Sequence, residues 1–150
     1  METMVSESTW PSRGETVLHR AFCHESPYAV VIADARGRTI EWNRAAERLT
    51  GIPREEALSL EVWQLLGRIA PARIPYEVAV EAGRSTFREV MDMALLSRHE
   101  GIYREAPVQR RDGLILSTSG KLLHLTVDFF SFWADEEPAF AVCATRVVPA

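Results

Sequence analysis

Residues 34–58, DARGRTIEWNRAAERLTGIPREEAL, reverse the chain's direction repeatedly, and neither a long helix nor a long strand fits through them. The run AVVIAD at 29–34 is apolar and rich in β-branched residues, which predicts a buried strand. Ala35-Arg36-Gly37-Arg38 then makes a tight connection to Thr39-Ile40-Glu41-Trp42, a second, alternating strand. Asn43 stands where a helix begins, and its side-chain oxygen can accept from an otherwise unpaired backbone N–H. Ala45, Ala46 and Leu49 are the packing positions of that short helix, and Gly51 is its left-handed stop. Pro53 opens another short helix, with Glu55 and Glu56 at the positive end of its dipole. Reversals this close together suit short helices wrapped around a small cavity.

The flanking sequence extends this pattern. Ser12 and Glu15 have capping-box spacing ahead of a first amphipathic helix that ends near Ser26-Pro27 and carries Val17, Leu18, Ala21 and Phe22 on one face. Val62, Trp63, Leu65 and Leu66 predict a helical turn on the core, and Pro71 and Pro75 punctuate a connector. Residues 76–83 add a turn or two before Gly83. A longer helix is expected to start at the Thr86/Glu89 capping box, run through Phe87, Val90, Met91, Ala94 and Leu95, and close at Gly101. Strands follow. The first, 102–111, contains Pro107 and so belongs at a sheet edge. Asp112-Gly113 is a hairpin signal, with Ser119-Gly120 as a second turn candidate that leaves the register open. Lys121–Trp133 places Leu123, Leu125, Val127 and Phe129 on one face; residues 134–138 turn the chain, and 139–148 form the last strand. Strands at both ends with helices between them give an α+β layout, helices covering one face of an antiparallel sheet.

At 150 residues the chain is read as one domain: a flexible N-terminus at 1–13, then a single unit over 14–148 that includes the first helix at 14–25. A net charge of −4 argues against a nucleic-acid partner. No apolar run approaches the ~20 residues of a bilayer span and no signal pattern opens the chain, so a cytoplasmic protein with no membrane partner is expected. Cys23 and Cys143 lie far apart with no metal spacing, which suits reduced thiols and no metal site.

Taken in order, Ser26, Pro27, Asp34, Gly37, Asn43, Ala45, Leu49, Gly51, Glu55 and Glu56 resemble the signature of the PAS sensor family. Arg111-Asp112-Gly113 and the two long strands after it look like that family's second half, so the resemblance spans roughly residues 14–148. It implies a five-stranded antiparallel sheet of spatial order 2-1-5-4-3, with short helices over one face and an N-terminal amphipathic helix. It also implies a non-catalytic sensor or interaction module in signal transduction, of the kind found in two-component systems. Such a module binds a small ligand or a protein signalling partner and forms a homodimer, here through Val17, Leu18, Ala21 and Phe22 with Phe130 and Phe132. Three features depart from the family pattern: Ile52 replaces an aromatic, Ser59 replaces a Gly, and Ala144-Thr145-Arg146 stands where Asp-X-Thr is usual. No kinase, cyclase or DNA-binding segment follows, so the chain is expected to be either a stand-alone module or a piece of a longer receptor such as a histidine kinase.

The ligand is less legible. Residues 57–70 lack the Cys that LOV-type flavin photochemistry needs, although Trp63 or Trp42 could stack on a non-covalent flavin if neither is a plain core aromatic. His99 follows Met91 and Leu95 on the apolar stripe, as a haem-axial ligand would, or else serves the negative end of the helix dipole. His19 and His24 have no metal spacing. On the last strand, Ala139, Ala141, Cys143 and Thr145 form a face of small side chains opposite Phe140 and Val142. Turned inward, that face leaves room for a small apolar metabolite against Trp63, Phe87, Val90, Met91, Leu95, Val127 and Phe129, unless larger residues fill the space. The leading expectation is no cofactor. Two rival readings are a ligand-free dimerisation scaffold and a small enzyme in which Asp128 or His124 moves a proton.

Overall fold

The computed structural model describes residues 13–99 and 108–150, with the side chains of 13–16, 19 and 99 outside that description. Helix α1 spans Arg13–Glu25. Strands β1 (Ala29–Ala33) and β2 (Thr39–Trp42) follow, then three short helices, α2 (Arg44–Thr50), α3 (Arg54–Ala57) and α4 (Val62–Arg68), and a long one, α5 (Tyr76–His99). Strands β3 (Gln109–Leu116), β4 (Leu122–Ala134) and β5 (Glu137–Pro149) complete a five-stranded antiparallel sheet of order β2-β1-β5-β4-β3.

The opening segment folds as its residues require. The carboxylate of Asp34 accepts from the backbone N–H groups of Arg36 and Arg38, closing the turn on which Gly37 takes φ +89°. The Gly37 carbonyl then accepts from Val62 N–H at 2.8 Å, which ties the β1–β2 turn to the start of α4. A Cβ at Gly37 would lie 2.2 Å from the Trp63 ring, so the glycine serves both the turn and the core beneath it. Gly51 ends α2 in the left-handed region, as expected. Pro53 caps α3 rather than occupying its first turn. Ser59 tolerates the place of a Gly without positive φ, its hydroxyl donating to the Glu56 carbonyl.

Three expectations require correction. Residues 76–99 form one unbroken helix, so neither Gly83 nor the Thr86/Glu89 pair marks a boundary. Gly83 is buried where α5 crosses α4: a Cβ there would meet Leu66 at 2.9 Å and Trp63 at 3.3 Å, so close approach rather than chain termination explains it. Asp112 and Gly113 lie inside β3, and the hairpin is made at Ser117–Lys121, where Ser117 Oγ accepts from Lys121 N–H and Gly120 takes φ +87°. β3 lies at the sheet edge, as the expected order has it, but spans Gln109–Leu116 rather than ending at Arg111; residues 101–107, with Gly101 and Pro107, and Ser12 lie outside the described residues.

The sheet has two different faces. Ala33, Phe129, Phe140 and Val142 point to the helices and join Val62, Trp63, Phe87, Val90 and Met91 in one core cluster. A second cluster under α2 and α4 contains Trp42, Ala46, Ile52, Leu65, Ile69, Ile115 and Leu125. Cross-strand partners share a face, so the pairings Val30–Cys143, Ile32–Ala141, Asp128–Cys143, Phe130–Ala141 and Phe132–Ala139 put all of these residues on the outer side. The inward set on β5 is therefore Phe140, Val142 and Ala144, the reverse of the small-residue face expected there.

Candidate functional site

Between the two clusters lies an apolar cavity of about 200 Å³. Trp42 on β2, Ala46 and Leu49 on α2, and Val62, Leu65 and Leu66 on α4 form its helix side. Val31, Val142, Ala144, Leu125, Val127, Phe129 and Ile115 form its sheet side. Thr50 supplies a polar side chain to the wall, but its hydroxyl already donates to the Ala46 carbonyl at 2.8 Å. Trp42 likewise gives its indole N–H to the Ile52 carbonyl at 2.9 Å. Among the described residues, no charged side chain lines the space. A site of this kind rewards removal of apolar surface from water and offers little to a polar or ionic ligand.

The cavity lies to one side because the other end of the interior is filled by aromatic rings. Phe87 meets Trp63 edge-on at 5.2 Å and Phe140 edge-on at 5.2 Å, and Phe129 lies 6.0 Å from Phe140. Such contacts add about 0.5–1.5 kcal/mol each beyond simple burial. Of the residues expected to line a ligand site, Val127 and Phe129 reach the cavity. Trp63, Phe87, Val90 and Met91 are buried in the aromatic plug beside it. Leu95 is solvent-exposed on α5, because the buried stripe of that helix runs through Phe87, Val90, Met91 and Ala94. Ala141 and Cys143 lie on the outer sheet face. Trp42, expected only as a possible flavin-stacking ring, is a wall residue, and so are Leu65 and Ala144, which the sequence did not mark because that role depends on how elements distant in sequence meet.

The other candidates occupy definite places. Trp63 packs under Gly37 and against Phe87, with the Arg84 guanidinium 5.3 Å from its ring centroid, so the ring is already covered where a flavin would stack. Among the described residues, none of α5 lines the cavity; His99 ends that helix, its side chain outside the described residues. Asp128 and His124 point to the outer face, His124 opposite to the inward Leu125, so neither reaches the cavity as the rival enzyme reading requires. Both carboxylate oxygens of Asp128 accept from Arg110, at 2.8 and 3.0 Å, and this pairing holds the carboxyl below its ordinary range. Burial pushes both thiols up, with Glu41 adding to the effect at Cys23 and Asp128 at Cys143, so neither is a ready nucleophile. No cluster of metal-ligating side chains occurs among the described residues.

Asn43 organises the site's near edge. Its Oδ1 accepts from Ala46 N–H as the α2 cap and from Val30 N–H of β1, while its Nδ2 donates to the carbonyls of Cys23 and Tyr28. One fully buried side chain thus joins the end of α1, the start of β1 and the helix that roofs the cavity. Beyond it, Val17, Leu18 and Phe22 are exposed by 62, 66 and 78%, with Ala21 also exposed, and Phe132 and the half-buried Phe130 lie on the outer sheet face.

Residues 18–67 match the family model described as the PAS fold. No curated protein matches the chain. Among solved structures, the PAS domain of an HTR-like protein from Haloarcula marismortui aligns with a TM-score of 0.58 at 16% identity, over 90% of this chain and 93% of that one. A domain of a sensory box sensor histidine kinase/response regulator from Geobacter sulfurreducens gives 0.58 at 16%, over 86% and 92%. The PAS domain of nitrogen regulation protein NR(II) from Vibrio parahaemolyticus gives 0.52 at 17%, over 86% and 97%. At these identities the likeness establishes the fold. Among the described residues no helix is long and apolar enough to cross a membrane.

Proposed function

We propose, from the premise that this chain is a PAS-fold domain, that it is a non-catalytic sensor module whose signal is an uncharged, apolar small molecule held between α2, α4 and the sheet. The observation that carries this reading is the cavity of about 200 Å³ whose polar wall groups are already satisfied internally. An apolar cavity of ~150 Å³ is known to stay dry and to bind benzene, so a substituted aromatic ring or a short hydrocarbon chain is of suitable size. Occupancy would press on α2, and Asn43 would pass the displacement to β1 and the end of α1. The output is then a change at the exposed face of α1, read by a second copy or by a signalling partner of the two-component type. The test is a cavity-filling substitution. Ala144→Leu is expected to weaken binding of an apolar probe such as trifluorotoluene at least ~10-fold, equivalent to 1.4 kcal/mol. The same change is expected to stabilise the empty protein by about 0.5–2 kcal/mol. Titration calorimetry and thermal melts check both.

Homodimerisation is the second part of the reading, favoured by the exposure of Val17, Leu18 and Phe22 along one helix. Leu18→Glu with Phe22→Glu is expected to convert a dimer to a monomer in sedimentation velocity with the melting temperature little changed. A wild-type protein that sediments as a monomer at the same concentration rules this out, and leaves the ligand reading to stand alone.

A further inference from the structure

We infer that Gly113 is the entrance to the cavity, a gap in the edge strand through which the apolar ligand passes; this rests on the ligand reading above. Gly113 sits in the interior of β3, where a glycine weakens pairing and packing and needs a reason. Neither usual reason applies. Its φ is not positive, and a Cβ built on it would meet no atom within 4 Å, so neither conformation nor close approach demands the glycine. Its direction is known from the register. Gly113 pairs with Leu125, a buried cavity-wall residue, and the next residue on the same side of β3, Ile115, is also buried in that wall. A side chain at 113 would therefore project across the cavity's mouth.

Exposure supports the same assignment. Among the wall residues, Gly113 is the one that is solvent-exposed; the others are buried or half-buried. The residues that the cavity shares with the grooves on either side, Ala29, Leu49 and Ala144 with one and Leu66, Ile69 and Leu114 among those with the other, are buried or half-buried. The missing side chain at 113 has no such cover. A Val there restores the β-branched surface that strands prefer and places two methyl groups in the opening.

The experiment uses trifluorotoluene and fluorine NMR, which reads both the bound fraction and the exchange rate, on the wild type, Gly113→Ala and Gly113→Val. Exchange is expected to slow by about tenfold or more in Gly113→Val and by an intermediate factor in Gly113→Ala, with melting temperatures equal to or above that of the wild type. Wild-type occupancy with unchanged exchange in both variants overturns the entrance and leaves the ligand reading intact. Absence of any bound probe in the wild type overturns both. The alanine variant keeps the comparison available if valine distorts the strand.

Discussion

Asn43→Ala is expected to destabilise the protein by about 4 kcal/mol and lower its melting temperature by roughly 10 °C. The size follows from what the side chain holds. It makes four hydrogen bonds, at 2.8–3.0 Å, and is itself fully buried. Removing a helix cap alone costs about 1 kcal/mol. Here the N–H groups of Val30 and Ala46 and the carbonyl of Tyr28 lose this partner together, the Cys23 carbonyl keeping only the 3.4 Å bond from Ser26 N–H, and an unsatisfied buried group costs about 1–3 kcal/mol. Asn43→Asp separates the two halves. The carboxylate can still accept from Val30 and Ala46, but it presents negative charge to the two carbonyls that Nδ2 served. It is therefore expected to remain destabilised despite being a good cap residue. Urea unfolding of the three proteins measures this. A loss of only the capping increment in Asn43→Ala would mean that the bonds to β1 and α1 contribute little, and that the proposed route from cavity to α1 is weak.

Phe140→Ala has an expected cost of similar size, about 4 kcal/mol, the usual range for deleting a buried aromatic ring. Phe140 is 1% exposed and lies between Phe87 and Phe129. Because Phe129 also lines the cavity, the space left by the ring is expected to join it. The variant should then accept a bulkier apolar probe, such as naphthalene, and regain stability on binding it, since a ligand that binds only the folded state shifts unfolding by mass action. Melts with and without naphthalene read both effects. If the variant is destabilised without gaining affinity for the larger probe, the aromatic plug and the cavity are separate compartments.

What the sequence disclosed and what it withheld divide along physical lines. Asn43, Gly51 and the Asp34–Arg38 turn were legible because caps and tight turns are decided within a few residues. The sheet order came with the resemblance and agrees with the structure. The glycines were ambiguous. Gly83 reads as a helix stop but allows two helices to touch, and Gly113 reads as a hairpin but interrupts the wall of a cavity. Local sequence does not distinguish a glycine that turns the chain from one that makes room. The direction of β5 was misread because both of its faces are largely buried: Phe140 at 1% exposure points to the helices, and Ala141 at 2% points away from them. Alternation then separates two sets of residues without saying which set meets the helices. Leu95 was misplaced for a related reason, since an apolar stripe wider than its contact leaves some members in solvent.

The central claim, an apolar ligand site under α2 and α4, is tested most directly by methyl NMR. Methyl-labelled wild type and Ala144→Leu are titrated with trifluorotoluene. The expected result is saturable shifts at Val31, Leu65, Ile69, Leu125 and Val127 in the wild type, lost or strongly weakened in the variant. Shifts at the outer-face residues Val30 and Ile32, equal shifts in both proteins, or no shifts at all would contradict it.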